Sequence, residues 1–304
     1  MMAHPGELAA LTTAFCWTIT SMSFQQATRK IGTLAVNLLR LLIAFILFGT
    51  VSFLITGHFL PMMASGHAWT WLSISGLVGF VLGDYFLFRS YHYVSARISM
   101  LIMAVSPLFA AVISYFMLGE SMGWTEILSM FITIGGIFLV VLSRQKSGDK
   151  QDGKSSIRLA FPAKGLLFAL GGAIGQAGGL VLSKYGMTDT DPFAATQIRV
   201  IAGLIGFTLV ISGMRRWNRV FVAFKDKKAM LYTLTGGIFG PFLGVYLSLY
   251  SIKYTSVGVG STIMAIVPVL IIPLAILVYK EKVSFKEIIG AILAVAGVSF
   301  FFIF

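Results

Sequence analysis

Long apolar runs alternate with short polar breaks along the whole chain. Ten runs are each about 20 residues long, the length a helix needs to cross a bilayer core. They cover residues 8–27, 33–56, 69–92, 96–118, 124–143, 164–185, 192–213, 229–252, 257–279 and 285–304. Most breaks are short, which predicts a compact all-α bundle. Two are longer. Residues 144–163 (RQKSGDKQDGKSSIRLAFPA) are polar and basic and read as a linker. Residues 215–228 (RRWNRVFVAFKDKK) set Trp217, Val220, Phe221 and Phe224 at helical spacing among basic residues. That pattern predicts a helix lying in the membrane interface. MMAHPGE before the first run carries no Lys or Arg, and the run continues to about Gln25, so it reads as a span rather than a signal peptide.

Composition agrees with the pattern. The chain is 57% hydrophobic and 11% charged, with a mean hydropathy of +0.90. A soluble domain is about 25% charged. The net charge of +12 would suggest nucleic acid in a soluble protein. In a membrane chain it has a different origin, because basic residues hold loops in the cytoplasm. The breaks after runs 1, 3, 5, 7 and 9 contain Arg29, Lys30, Arg144, Lys146, Lys150, Lys154, Arg158, Arg215, Arg216, Arg219, Lys225, Lys227, Lys228, Lys280 and Lys282. The opposite breaks hold little beyond Lys184 and Lys253. This predicts a bacterial or archaeal cell-membrane protein with both termini outside and no nucleic-acid partner. The single cysteine, Cys16, cannot form an intramolecular disulfide, and the four histidines are scattered. Neither a metal nor another cofactor is expected.

The chain also repeats itself. SPLFAAVISYFMLGE at 106–120 is echoed by VPVLIIPLAILVYKE at 267–281, with Pro107 and Glu120 each 161 residues before Pro268 and Glu281. At that offset Gly76, Gly79, Gly83, Tyr85, Ser90, Tyr93 and Ser95 fall on Gly237, Gly240, Gly244, Tyr246, Ser251, Tyr254 and Ser256. Glu126 and Gly136 fall on Glu287 and Gly297, and an offset of 159 brings Arg40 onto Arg199. Residues 8–143 and 164–304 are thus two five-span halves, joined by the linker 144–163. Five is odd, so the second half enters the membrane inverted. Inverted repeats are typical of secondary transporters, with a site near the midplane between the halves. Some channels share them. No Ser-His-Asp set, HExxH, in-span carboxylate pair or GxxxxGK[ST] loop is present, which argues against an enzyme or an ATP-driven pump.

These features together resemble the drug/metabolite transporter superfamily in its EamA branch. The resemblance rests on the paired turns YHYVSARISM and IKYTSVGVGS, the proline and closing glutamate of the fourth span, and the Gly-rich fifth spans FITIGGIFLVV and ILAVAGVSFFF. It covers nearly the whole chain. It implies ten spans and export or exchange of a small metabolite, often an amino acid, by alternating access. Relatives in the wider superfamily carry nucleotide sugars or flip lipid-linked sugars, so a flippase and a passive channel-like facilitator stand as alternatives. Small multidrug relatives couple protons through a glutamate inside the first span. Here Glu7 lies only at the edge of that span and Trp17 occupies the interior. The expected partners are a small-molecule substrate, membrane lipid and, as a candidate coupling ion, protons.

Ionisable residues inside spans are costly and default to function. Asp84 is the only acid well inside a run, and Arg40 sits at a similar depth. They read either as a structural ion pair or as a coupling site in which Asp84 carries a proton or pairs with a substrate ammonium. The counterpart of Asp84 is Val245, which leaves Arg199 without a matching acid. Arg199 is therefore a candidate for a substrate carboxylate. The other reading pairs it with Asp189 or Asp191 or lets it snorkel to the surface. Trp17, Asn37, Tyr85, Gln176, Gln197 and Tyr246 are the candidate cavity residues. Gly83 and Gly244 close Gly-xxx-Gly series that allow tight helix packing. Pro107 and Pro268 are expected to kink their helices. Glu120 and Glu281 are expected to cap the next helix or tie the tight turn between spans.

Overall fold

The computed structural model describes residues 4–94, 96–148, 162–271, 273 and 285–303. Glu281, Lys280, Lys282 and most of the predicted linker lie outside the described residues. Those described are helical, with no strand among them.

The first half opens with α1 (Pro5–Ile31) and α2 (Thr33–Thr56), separated by Gly32 alone. Gly32 has φ +85°, a backbone region that an L side chain resists, so glycine makes this one-residue turn possible. Next come α3 (Gly66–Ser90), α4 (Ala96–Met103), α5 (Ser106–Leu118) and α6 (Trp124–Gly148). α6 runs several residues into the segment read as linker. The second half consists of α7 (Ala163–Gly186), α8 (Pro192–Gly213), α9 (Trp217–Ala223), α10 (Lys227–Tyr254), α11 (Val257–Met264) and α12 (Phe285–Ile303). Among the described residues, α2, α3, α7, α8 and α10 are long and apolar enough to cross a membrane. Shorter apolar helices cover Ser106–Leu118, Trp124–Leu139, Val257–Ile271 and Ile288–Phe300.

Three sequence expectations need correction. Residues 96–118 are not one kinked helix. The chain turns at Ala104–Val105, and Pro107 stands in the first turn of the new helix α5. The same turn recurs at Ala265–Ile266 ahead of Pro268. Proline is tolerated in a first turn, where its missing N–H has no helical acceptor to serve. In a continuous helix it would leave the carbonyl four residues back without a donor and clash with that turn. Both prolines therefore begin a helix rather than bend one. The predicted interfacial helix is also shorter than expected: α9 ends at Ala223, and Asp226 starts α10 as its N-cap.

Close glycine contacts hold the bundle together. A methyl on Gly175 of α7 would lie 2.6 Å from Gly83 Cα, and one on Gly179 would lie 2.8 Å from Gly79 Cα. Across the other pair, methyls on Gly240 and Gly244 of α10 would meet Thr20 and Trp17 of α1 at 2.9 Å. The third long helix of each half thus packs on the first helix of the other half through equivalent glycines. Small residues let helices approach closely where lipid provides no hydrophobic drive.

Candidate functional site

Two π-helical segments shape the centre, Leu77–Asp84 in α3 and Ile238–Gly244 in α10. They start 161 residues apart. Pro241 lies inside the second, where a missing N–H favours a widened turn. π segments re-aim the side chains that follow and are frequent at functional sites. Here they place Phe80, Asp84, Gly240 and Pro241 in the wall of one cavity of ≈ 90 Å³. The two helix breaks reach the same cavity, through Ala104, Ser106 and Pro107 on one side and Met264, Ala265 and Val267 on the other.

The charged centre is built outward from Thr33. Asn37 donates through Nδ2 to the Thr33 carbonyl at 3.1 Å and accepts through Oδ1 from Arg40 Nε at 3.0 Å. The guanidinium then donates through Nη2 to Asp84 Oδ2 at 2.5 Å. It also stands over the rings of Phe88, Phe24 and Phe80, at 4.8, 5.5 and 5.5 Å from their centroids. Arg199 lies over the Phe80 ring at 5.0 Å. Arg40 and Arg199 are each 3% exposed and Asp84 is 9% exposed. Two buried guanidiniums thus flank Phe80, but only Arg40 is bonded to the buried carboxylate, and Arg199 Nε has no hydrogen-bond partner among the described residues. Burying a charge costs several kcal/mol unless it is paired, so this surplus positive charge is an expensive feature in a membrane.

The rest of the wall is mainly apolar and aromatic, with Trp17, Phe24, Phe88, Met100, Met103 and Met264 prominent. Two of its polar atoms, Thr20 Oγ1 and Tyr91 Oη, are buried without a partner among the described residues. An unpaired buried hydroxyl costs about 1–3 kcal/mol, which a ligand or water would recover.

Of the residues singled out from sequence, Trp17, Arg40, Asp84, Gln176 and Pro107 line this cavity. Asn37 acts through Arg40. Arg199 sits next to the wall, on Phe80, while Gly83 and Gly244 serve packing. Tyr85, Tyr246 and Gln197 do not share the cavity. Tyr85 belongs to a cleft on the basic face with Arg89 and His92. Tyr246 packs on Phe193 and Tyr250. Gln197 donates to the Phe59 carbonyl at 2.6 Å, near the opposite mouth. The reason is local for Tyr85: adjacent helical residues point in different directions, so it cannot share a face with Asp84. Sequence reasoning missed Thr20, Ser21, Tyr91, Ser106 and Ser261. The serine just before Pro107 was the one readable signal among them.

The model of the EamA-like transporter family matches this chain twice, over residues 4–142 and 163–303. The chain belongs to the EamA-like transporter family. It is an integral membrane protein. A WAT1-related chloroplastic protein of Arabidopsis thaliana is 24% identical over 244 residues, spanning 78% of this chain. The match covers 56% of the length of that curated relative. A solved crystal structure shares the fold with a TM-score of 0.70 at 17% identity, over 98% of this EamA-like chain and 96% of the other.

Proposed function

We propose that this EamA-like transporter exports a small zwitterionic metabolite, an amino acid with an apolar side chain, by alternating access. The observation that carries the proposal is the buried Arg40–Asp84 pair facing an aromatic and methionine-lined cavity. Such a pair offers a guanidinium to a carboxylate and a carboxylate to an ammonium. The apolar wall suits a hydrocarbon side chain, and Thr20 Oγ1 and Tyr91 Oη offer two further hydrogen bonds. The excess charge of Arg199 biases the centre toward the carboxylate end.

Two five-span halves of opposite orientation would alternate around this centre. Recurrence of the π segments and helix breaks at one offset supports that reading, as do the reciprocal glycine contacts. The basic face would be cytoplasmic with both termini outside. A reporter active only in the cytoplasm and fused at Phe304 should stay silent, and activity there would reverse the orientation.

Counterflow in proteoliposomes tests the substrate class. Labelled leucine should exchange saturably, while isovalerate and isobutylamine, which each lack one charged end, should exchange poorly. Equal uptake of all three without saturation would indicate a passive facilitator. Silence toward water-soluble solutes, with movement of a lipid-linked compound, would indicate a flippase.

A further inference from the structure

A second cavity of ≈ 430 Å³ lies at the mouth opposite the basic face. The end of α2, the loop at 58–64 and the segment from Asp189 to Gln197 wall it. The wall holds two carboxylates, Asp189 and Asp191; its one basic side chain is His58, and it contains no Lys or Arg. Lys253 donates to the Thr190 carbonyl at 3.0 Å but does not line the space.

Acidic residues at a surface mouth are ordinary, so the two buried side chains between them matter more. Gln197 is 1% exposed and Thr190 is 5% exposed, and both line the vestibule. Gln197 spends its amide N–H on Phe59, which leaves Oε1 without a partner among the described residues. Thr190 Oγ1 is likewise without one. An amide oxygen can only accept, so its missing partner is a donor. Two nearby carboxylates select a donor with positive charge. Asp191 Oδ1 is already engaged, accepting from the Phe193 and Ala194 N–H groups as the N-cap of α8. Its charge remains. Ile55, Leu60, Met62 and Phe193 add an apolar side to the wall, beside Ser52, Thr56 and His58, which suits an organic cation better than a hydrated metal ion.

We propose that this vestibule binds the ammonium group of a small organic amine. It is a docking position separate from the central cavity. One aromatic layer lies between them: Phe193 meets Phe48 at 4.9 Å, and Phe48 meets Phe242 at 4.8 Å, next to Pro241 of the cavity wall. A substrate with an ammonium end would pause here on its way across. Binding at this position does not depend on what the central cavity carries.

The test uses the full chain in nanodiscs and two probes of matched shape, n-butylammonium and butyrate, titrated by calorimetry. Butylammonium should bind saturably and butyrate should not. Asp189→Asn with Asp191→Asn should weaken butylammonium by about tenfold or more, since each variant removes a charge and Asn still caps α8. Gln197→Glu should strengthen it by about fivefold, by placing a charge at the unpaired acceptor. Asp226→Asn, which removes a carboxylate on the opposite, basic face, should leave it unchanged. Equal binding of both probes, absence of saturable butylammonium binding, or wild-type affinity in the double Asn variant would overturn the proposal. Loss of binding in Asp226→Asn would also overturn it, since general charge rather than the vestibule would then hold the amine. Failure of leucine counterflow with intact vestibule binding would instead count against the proposed transport function alone.

Discussion

Glu120 accepts a hydrogen bond from the backbone N–H of Val257 at 2.9 Å, so a residue just past the end of α5 caps α11 in the other half of the chain. Sequence alone suggested a cap on the next helix in line. Glu120 also forms an ion pair with Lys184 of α7, whose ammonium donates to the Thr255 carbonyl at 2.7 Å. Thr255 Oγ1 in turn donates to Glu7 of α1 at 3.4 Å. Four elements are thereby fastened across one mouth.

If this cluster is a latch, Glu120→Ala should loosen the mouth on that side. The lost cap and partly exposed ion pair predict a destabilisation of about 1–2 kcal/mol, read by thermal unfolding. Thiol labelling of Ser261→Cys, in a Cys16→Ser background, should become faster from the side opposite the basic face. Unchanged labelling with a lowered melting temperature would leave Glu120 a helix cap and nothing more.

The Arg40–Asp84 pair separates stability from transport. Asp84→Asn leaves Arg40 buried beside Arg199 without a carboxylate, which predicts a loss of about 3–5 kcal/mol together with transport. The double variant Arg40→Met/Asp84→Leu removes both charges and should recover much of the stability. It should still fail in counterflow. Recovery of transport in the double variant would make the pair purely structural.

The α3–α7 crossing should tolerate no added bulk. Gly175→Ala would put a methyl 2.6 Å from Gly83 Cα, against backbone that cannot move aside as a side chain can. Gly83→Leu should be worse. Both variants should yield little folded protein in size-exclusion profiles. Gly66→Ala makes a useful control, because nothing lies within 4 Å of a methyl there.

Asp226 offers a pH readout outside the spans. Its carboxylate accepts from the Ala229 N–H at 2.9 Å, which holds its pKa below the usual carboxylate value. Slight desolvation opposes the shift, and Lys30, 3.5 Å away, adds to it. A depressed folded-state pKa means that the cap contributes fully above the unfolded value of about 3.9 and is lost as pH falls through the lower folded value. The Ala229 amide resonance should therefore titrate with a midpoint below about 3.9. In Asp226→Asn that titration should vanish while the cap persists. A midpoint at or above the unfolded value would reject the pairing.

The sequence by itself determined the class and the broad architecture of this protein. Bilayer thickness dictates the length of an apolar run, and side-chain hydration energy confines charge to its ends, so both are written residue by residue. The duplication was also legible, because the offset that aligns Pro107 with Pro268 aligns the glycines and tyrosines too. The tertiary structure decided which of the marked residues meet. Arg40 and Asp84 lie 44 positions apart in the chain, and only the packing of α2 on α3 brings them within a hydrogen bond. Tyr85 and Tyr246 match in sequence, yet the π segments before them and the angular step between neighbouring helical residues leave them off the cavity wall. The prolines looked like bends because each sits inside a long, mainly apolar run. Whether a helix bends or restarts depends on which backbone donors neighbouring elements leave unmet, and that is settled by the fold rather than by the run itself.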